Sequence, residues 1–303
     1  MWVQVQRDLD RLDGGSSAYI YAVNNDVVLK SPVTFVQPSD DSSVIEQYEY
    51  ALNTVCHYED IENERTILKR LAQSPHTNIV QAITLEHPEG VYLRRYFPLS
   101  KRLQTGKPTQ SIRITWYRDM LRALVHLHKL DIAHADVRLD NFLRDAKGAV
   151  VLCDFTCSRS FGQENPSATD SLENLGVNGA SRNVSDITDR FAVASVIFEV
   201  ETGTKPKLSV ENNYLYLPIV TTGNEALDLI IKTGWLAKYE TTLDMLRDIE
   251  SLMSSSSPDG GSILDVAAVE SLRTGVSDWR RGRARKYGDI SRLQCVLRWL
   301  TLL

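Results

Sequence analysis

One short stretch limits the folds open to this chain more than any other. "IAHADVRLDNFL", residues 132–143, sets His134, Asp136 and Asn141 between apolar flanks. Polar groups withdrawn from water cost free energy unless something satisfies them, so the stretch either caps a helix and closes a turn, or serves a ligand and a metal. A His-x-Asp-x-x-x-x-Asn pattern arises by chance in a chain of this length with odds of about one in a hundred. Just beyond it, "AVVLCDF" (149–155) is an apolar run ending near Asp154. That is the pattern of a buried strand delivering a carboxylate to its tip.

The chain has 303 residues, 43% of them hydrophobic and 24% charged, enough to bury a sizeable core in one large domain or in two lobes sharing a cleft. A net charge of -5 gives no electrostatic footprint for nucleic acid, and no nucleic-acid partner is expected. The N-terminus lacks the apolar core of a signal peptide, and no run reaches membrane-spanning length. An intracellular protein, cytoplasmic or nuclear, is therefore expected. Cys56, Cys153, Cys157 and Cys295 show no zinc-type spacing and read as reduced thiols.

No internal repeat is present. Residues 19–30 predict a hairpin around an Asn-Asn-Asp turn, and residues 31–43, rich in Pro, Ser and Asp, predict a loop. Residues 45–73 predict one or two helices ending before Ser74-Pro75. Within them Ile61, Glu64, Leu68 and Leu71 fall in an arc of roughly 80°, so Glu64 lies on the apolar stripe and needs a cation or a cleft mouth. Strands are predicted at 79–85 and 91–97 around "EHPEG". "ITWYRDMLRALVHLHKL" then has helical periodicity. Residues 158–188 read as a mobile polar loop, "DRFAVASVIFEVETG" as a core helix with a glycine terminator, and 214–253 as further helices. A strand-rich first third precedes a helix-rich remainder.

In this order the pieces resemble the eukaryotic-type protein kinases, over residues 8–253. "LDGGSSAYIYAV" is similar to the glycine-rich phosphate loop, "VVLK" to the Val-Ala-Ile-Lys strand and "ENERTILKRL" to the C-helix. "HADVRLDN" is similar to the catalytic loop and "CDFT" to Asp-Phe-Gly. The resemblance implies an α+β, bilobal fold with a small β-rich N-lobe (about 8–96) and a larger helical C-lobe (about 97–253), and leaves 254–303 as a linker and basic tail of unknown structure.

It also implies ATP- and Mg²⁺-dependent phosphoryl transfer to a protein hydroxyl, of Ser/Thr type rather than Tyr. Asp136 orients the hydroxyl, Arg138 supplies a cation near the transferred phosphate, and Lys30 meets the phosphates while paired with Glu64. Asn141 and Asp154 hold the metal. Gly14, Gly15, Ser16, Ser17, Ala18, Val28, Lys30, Leu93, Arg94 and Tyr96 line the nucleotide. Asp189 either caps its helix or holds the catalytic-loop backbone. His134 and Phe155 are core. "DNFL" further resembles stand-alone kinase-like proteins of filamentous fungi.

The departures are specific. Only Gly15 stands in register in the phosphate loop, with Asp13 and Ala18 at the other glycine positions and Gly14 displaced by one. Ala135 replaces an arginine that pairs with a phosphorylated activation loop, so a phosphate on Ser158, Ser160 or Thr169 lacks its anchor, and activity independent of that modification is expected. Thr156 replaces a glycine, Val28 a small alanine, and no Ala-Pro-Glu motif stands between 157 and 189. Two alternatives stay open: a pseudokinase that binds nucleotide or acts as a scaffold, and a small-molecule phosphotransferase. In the tail, "DWRRGRARKYGD" concentrates basic charge; packing on the body or disorder is the leading reading, and docking to a partner or a membrane surface the lesser one. Ile290, Leu293, Val296, Leu297 and Leu300 stripe a possible amphipathic helix.

Overall fold

The computed structural model describes residues 3–166, 178–179, 181–211, 214–253 and 261–288. Alternating aromatic and β-branched residues near the start of the chain fold as antiparallel strands: β1 Arg11–Gly14, β2 Ala18–Ala22 and β3 Val27–Pro32. Asn24 closes the turn between β2 and β3. Its side-chain oxygen accepts from the main-chain N–H groups of Asp26 and Val27 at 2.8 and 2.9 Å, the local bond that makes asparagine a turn former. β4 Ala82–Thr84 and β5 Val91–Arg94 complete a five-stranded antiparallel sheet of order β1-β2-β3-β5-β4. The predicted loop at 31–43 is partly strand: β3 runs on to Pro32, and Thr34–Phe35 pairs with Val3–Gln4.

Side chains alternate across a strand, so the sheet has two faces. The pairs Ile20↔Lys30, Ala22↔Val28, Val28↔Leu93 and Lys30↔Val91 share one of them. There the sheet meets α1, Val44–Ala72, a single helix opened by a reciprocal capping box between Ser43 and Glu46. Ile61, Glu64, Leu68 and Leu71 are buried on it, as the apolar arc predicts. Glu64 Oε2 meets Lys30 Nζ at 2.7 Å, with side chains 0% and 7% exposed. Helix and sheet are thus joined by charge as well as by apolar contact.

The chain divides into two compact units, the first formed by residues up to Pro75, Gln81–Arg95 and the chain from Ile263 on, the second by His76–Val80 and Tyr96–Ser262. In the second, α2 Gln110–His128 and α3 Asp186–Thr202 supply the core, with Tyr117, Met120, Leu124, Ala192 and Ile197 fully buried. Glu201 of α3, buried, accepts two bonds from Arg113 at 2.8 Å each and one from the Tyr117 hydroxyl at 2.7 Å, tying the two helices together. Gly203 ends α3 at φ +77°, a left-handed cap that favours glycine. The hairpin β6 Phe142–Arg144 and β7 Val150–Leu152, then α4 Glu225–Trp235 and α5 Thr242–Ser251, complete the unit. The segment predicted as helices from 214 begins otherwise: Tyr214–Tyr216 pairs with Ser209–Glu211 as a strand.

The segment after residue 253, of unknown structure from the sequence, contributes α6, Val266–Tyr287, which packs on the second face of the sheet. Val276 joins Tyr21, Val27, Leu29, Ile83 and Tyr92 in one core, with Leu272 and Trp279 beside it. Four of the five bases of the stretch are engaged within the first unit: Arg280 pairs with Glu89, Arg281 with Asp278 and Lys286 with Asp8, while Arg283 donates to the Arg7 carbonyl. The apolar stripe from Ile290 lies outside the described residues. Replacing Lys30 by Met removes the ammonium from a carboxylate with no exposed surface, and lowers the unfolding free energy by about 3–5 kcal/mol. The double change Lys30→Met/Glu64→Leu recovers most of that loss, as read from denaturant midpoints.

Candidate functional site

In the helical unit one buried carboxylate organises the polar stretch met at the outset. Asp189, 0% exposed, accepts from the main-chain N–H of His134 at 2.7 Å and of Ala135 at 3.0 Å. His128 Nε2 lies 2.9 Å from the same carboxylate. The helix cap is Ser185, whose side chain and main chain exchange bonds with the first turn of α3. Of the two readings of Asp189, the backbone clamp therefore applies. Its grip holds Ala135 at φ +62°, a left-handed conformation that costs a non-glycine residue free energy and persists only where its surroundings impose it. Two further side chains complete the hold: Asn178 Nδ2 donates to the Ala135 carbonyl at 2.6 Å, and Ser158 Oγ to the His134 carbonyl at 3.1 Å. Sequence reasoning missed Asn178, a residue of a polar loop with no periodicity to mark it. Ser158 corrects an expectation: a buried hydroxyl engaged in this way is no exposed phosphate acceptor. Ser160 is exposed, and Thr169 lies outside the described residues.

The loop then presents Asp136. Asn141 Nδ2 donates to the Asp136 main-chain carbonyl at 2.8 Å and to its Oδ2 at 2.9 Å, fixing the carboxylate and turning the amide oxygen of Asn141 the other way. Cys153 N–H donates to the Asn141 carbonyl at 3.0 Å, and His134 Nε2 lies 3.0 Å from the Cys153 carbonyl. Both main-chain polar groups of Cys153 are thereby spent on the loop, which sets the following residue, Asp154, beside Asp136. Burial pushes the Asp136 carboxyl above the ordinary aspartate range. His134, the Asn141 amide and Arg138 oppose the rise, the Asp154 carboxylate adds to it, and the net shift is upward.

Asp154 has φ +66°, a second strained residue within the same cluster. Thr156, at the position of the family glycine, donates its hydroxyl to Asp154 Oδ1 at 2.6 Å. A substitution that reads as a loss in the sequence thus supplies an orienting bond. His134 and Phe155 are fully buried with ring centroids 5.3 Å apart, in agreement with a core role. Arg138 pairs with Asp140 at 2.7 Å, both side chains half exposed. Such surface pairs are worth little, so the guanidinium is readily recruited elsewhere.

In the strand-rich unit, Ala18, Val28, Lys30 and Leu93 share the face that meets α1, by the register of β2, β3 and β5. Arg94 does not join them. Paired with Val27, it falls on the opposite face, because position along the chain was read there without the strand's alternation. Tyr96 belongs to the helical unit. At the tip of the first hairpin, Gly15 N–H donates to the Ala18 carbonyl at 2.9 Å and Gly14 N–H to Asp13 Oδ1 at 2.8 Å. The main-chain N–H groups of Ser16 and Ser17 have no intramolecular partner among the described residues and are the donors a phosphate could take.

The donor chemistry suits a hard cation. Asn141 and Asp154 offer an amide and a carboxylate oxygen, and the nearby thiol of Cys153 is engaged with the Asn141 carbonyl at 3.3 Å. Among the described residues no group of three or more His, Cys, Asp or Glu gathers around one point. That fits Mg²⁺, which takes one or two protein oxygens and completes its shell with water and substrate phosphates, and it does not fit a closed protein cage.

Comparison with known proteins follows the same lines. Human ribosomal protein S6 kinase alpha-4 is 26% identical over 170 residues, covering 49% of this chain and 20% of that protein. A probable serine/threonine-protein kinase of Dictyostelium discoideum is 27% identical over 123 residues, 35% of this chain and 23% of the relative. The mitogen-activated protein kinase kinase kinase ANP1 of Arabidopsis thaliana is 30% identical over 116 residues, 36% of this chain and 17% of the relative. The matched stretch thus spans about a fifth of each relative's length. The protein kinase domain family matches residues 43–254, more than half of the chain, and on that match, with its β-rich and helical units, the chain belongs to the protein kinase family.

Proposed function

We propose that this chain transfers a phosphoryl group from ATP, with Mg²⁺, to a serine or threonine hydroxyl of a protein substrate. The observation that carries the reading is the bonded cluster Asp136–Asn141–Cys153, which sets a carboxylate next to two oxygen donors of the type Mg²⁺ prefers. The name of the Dictyostelium relative, a probable serine/threonine-protein kinase, supports the choice of substrate class.

Phosphoryl transfer asks for positioning and charge neutralisation more than for covalent work. In this reading Asp136 orients the attacking hydroxyl and takes its proton. Its elevated carboxyl range brings it nearer to the operating pH, where a base is most effective. Asn141 and Asp154 hold the metal, which supplies neutralising charge to the phosphate oxygens when bound. The Lys30 ammonium, kept in place by Glu64, draws charge from the phosphates, and Arg138 adds a forked cation near the group in flight. Ser16 and Ser17 donate main-chain N–H bonds, while Val28, Ala18 and Leu93 give the base an apolar face.

Regulation in this reading does not pass through activation-loop phosphate. Ala135 carries no guanidinium, and Ser158 is buried. The reduced thiols Cys56, Cys153 and Cys157 accord with an intracellular setting, cytoplasmic or nuclear. One observation favours a second reading, a pseudokinase: Asp13 already takes the Gly14 amide, so a loop meant for polyphosphate is partly filled by a carboxylate.

An ADP-release assay separates the two. Wild type turns over in Mg²⁺-dependent fashion, and Asp136→Asn lowers kcat at least about a hundredfold while still binding nucleotide. Equal rates in the two proteins support the pseudokinase. The raised carboxyl of Asp136 has two measurable consequences. The acid limb of kcat/KM falls through a pKa above the ordinary aspartate value. Ionised Asp136 also costs stability at neutral pH, because a raised folded-state pKa contributes stability only below the unfolded value. Apo Asp136→Asn therefore melts above wild type at pH 7, and the gain shrinks as the pH falls toward about 4. Treatment with a phosphatase leaves turnover unchanged within about twofold; loss of most activity would show that a phosphate anchor exists.

A further inference from the structure

The last helix does more than cover the sheet. Glu89, in the turn between β4 and β5, is 3% exposed. Its carboxylate takes a forked bond from Arg280 of α6, through Nε and through Nη2 at 3.0 Å, and a third from the Tyr92 hydroxyl at 2.7 Å. Burial alone would raise the Glu89 carboxyl; the guanidinium and the phenol override it and hold it below the ordinary range. The same turn is gripped by Arg65 of α1, the residue after Glu64. Its guanidinium donates to the carbonyl of Leu85, to that of His87 at 2.9 Å and to that of Gly90 at 3.3 Å.

Gly90 completes the connection. It has φ +147°, and a Cβ built on it would stand 2.0 Å from the main-chain oxygen of Lys30. The turn at 85–90 therefore meets both segments that carry the ion pair, lying against the main chain of β3 at Lys30 and holding α1 through Arg65, one residue beyond Glu64. Lys69 of α1 adds an exposed ion pair to Glu86 at 3.5 Å, and the buried carboxylate of the turn, Glu89, is answered from α6 by Arg280.

We propose that Arg280 is a positioning residue for the Lys30–Glu64 pair, acting through Glu89 and the 85–90 turn. Its effect on turnover rests on the phosphoryl-transfer reading; its effect on α1 does not. Besides Arg273, which donates to the Ile83 carbonyl of β4 at 2.7 Å, two attachments at the end of α6 provide the contrast. Arg283 and Lys286 bond to Arg7 and Asp8 near the start of the chain and leave the turn alone. A helix that merely covered apolar surface would make both sets of contacts equivalent.

Hydrogen exchange on the full chain, read by mass spectrometry, tests this with Arg280→Ala, Arg280→Lys and the double variant Arg283→Ala/Lys286→Ala. In Arg280→Ala the amides of 85–91, then those of 61–68 and 27–32, exchange at least about fivefold faster. The double variant loosens the end of α6 and leaves 61–68 at the wild-type rate. Turnover follows suit: at a temperature where every variant is folded, Arg280→Ala raises the KM for ATP at least about fivefold, the double variant leaves it at the wild-type value, and Arg280→Lys recovers part of the loss. Should Arg280→Ala fold poorly, Glu89→Gln, which keeps the shape and drops the charge, gives the same exchange pattern. Unchanged protection at 61–68, or equal effects from both ends of α6, overturns the proposal. A wild type inert toward ATP removes the phosphoryl-transfer reading, and the exchange data still decide the role of Arg280.

Discussion

The cost of burying charge shapes this protein more than any other constraint. Lys30 and Glu64, 2.7 Å apart and almost without exposed surface, gain little over an apolar pair of the same size, yet either one alone would be a severe burden. The strand-rich unit therefore has to keep α1 against β3 in one arrangement. The helical unit obeys the same rule through hydrogen bonds. Asp189 is matched by two main-chain N–H groups and by His128, and Glu201 by Arg113 and Tyr117. Each buried acid fixes segments distant in the chain, and the strained backbone at Ala135 is held in place by that satisfaction.

What the amino-acid sequence disclosed follows from periodicity. Glu64 stood out because a carboxylate on an apolar arc has to be answered by a cation, and the cation was there. The first hairpin, the tip position of Asp154 and the glycine end of α3 were legible for similar reasons: alternation, an apolar run and a left-handed cap leave local marks. The same rules could have placed Arg94 correctly. Strand alternation alone separates it from Leu93, and only its neighbourhood in the chain suggested otherwise.

What stayed hidden has no local mark. Asn178 and Thr156 act through bonds to Ala135 and Asp154 that depend on loop geometry, and nothing in "NG" or "CDFT" announces them. The glycine loop was judged by counting glycines, but neither Gly14 nor Gly15 uses a positive φ; what matters there is which amides the hairpin consumes. Packing of the tail on the body was among the readings of its basic stretch, but the acids it meets, Glu89 and Asp8, stayed hidden because they lie far back in the chain.

The return of the last helix also sets a schedule for synthesis. The sheet's final strand ends at Arg94, and the helix that closes its second face starts only at Val266. A ribosome adding roughly 5–20 residues per second needs on the order of 10–30 s to cover that interval. Throughout it Tyr21, Leu29 and Tyr92 wait uncovered on a nascent chain, a window in which a holdase chaperone would find its natural target.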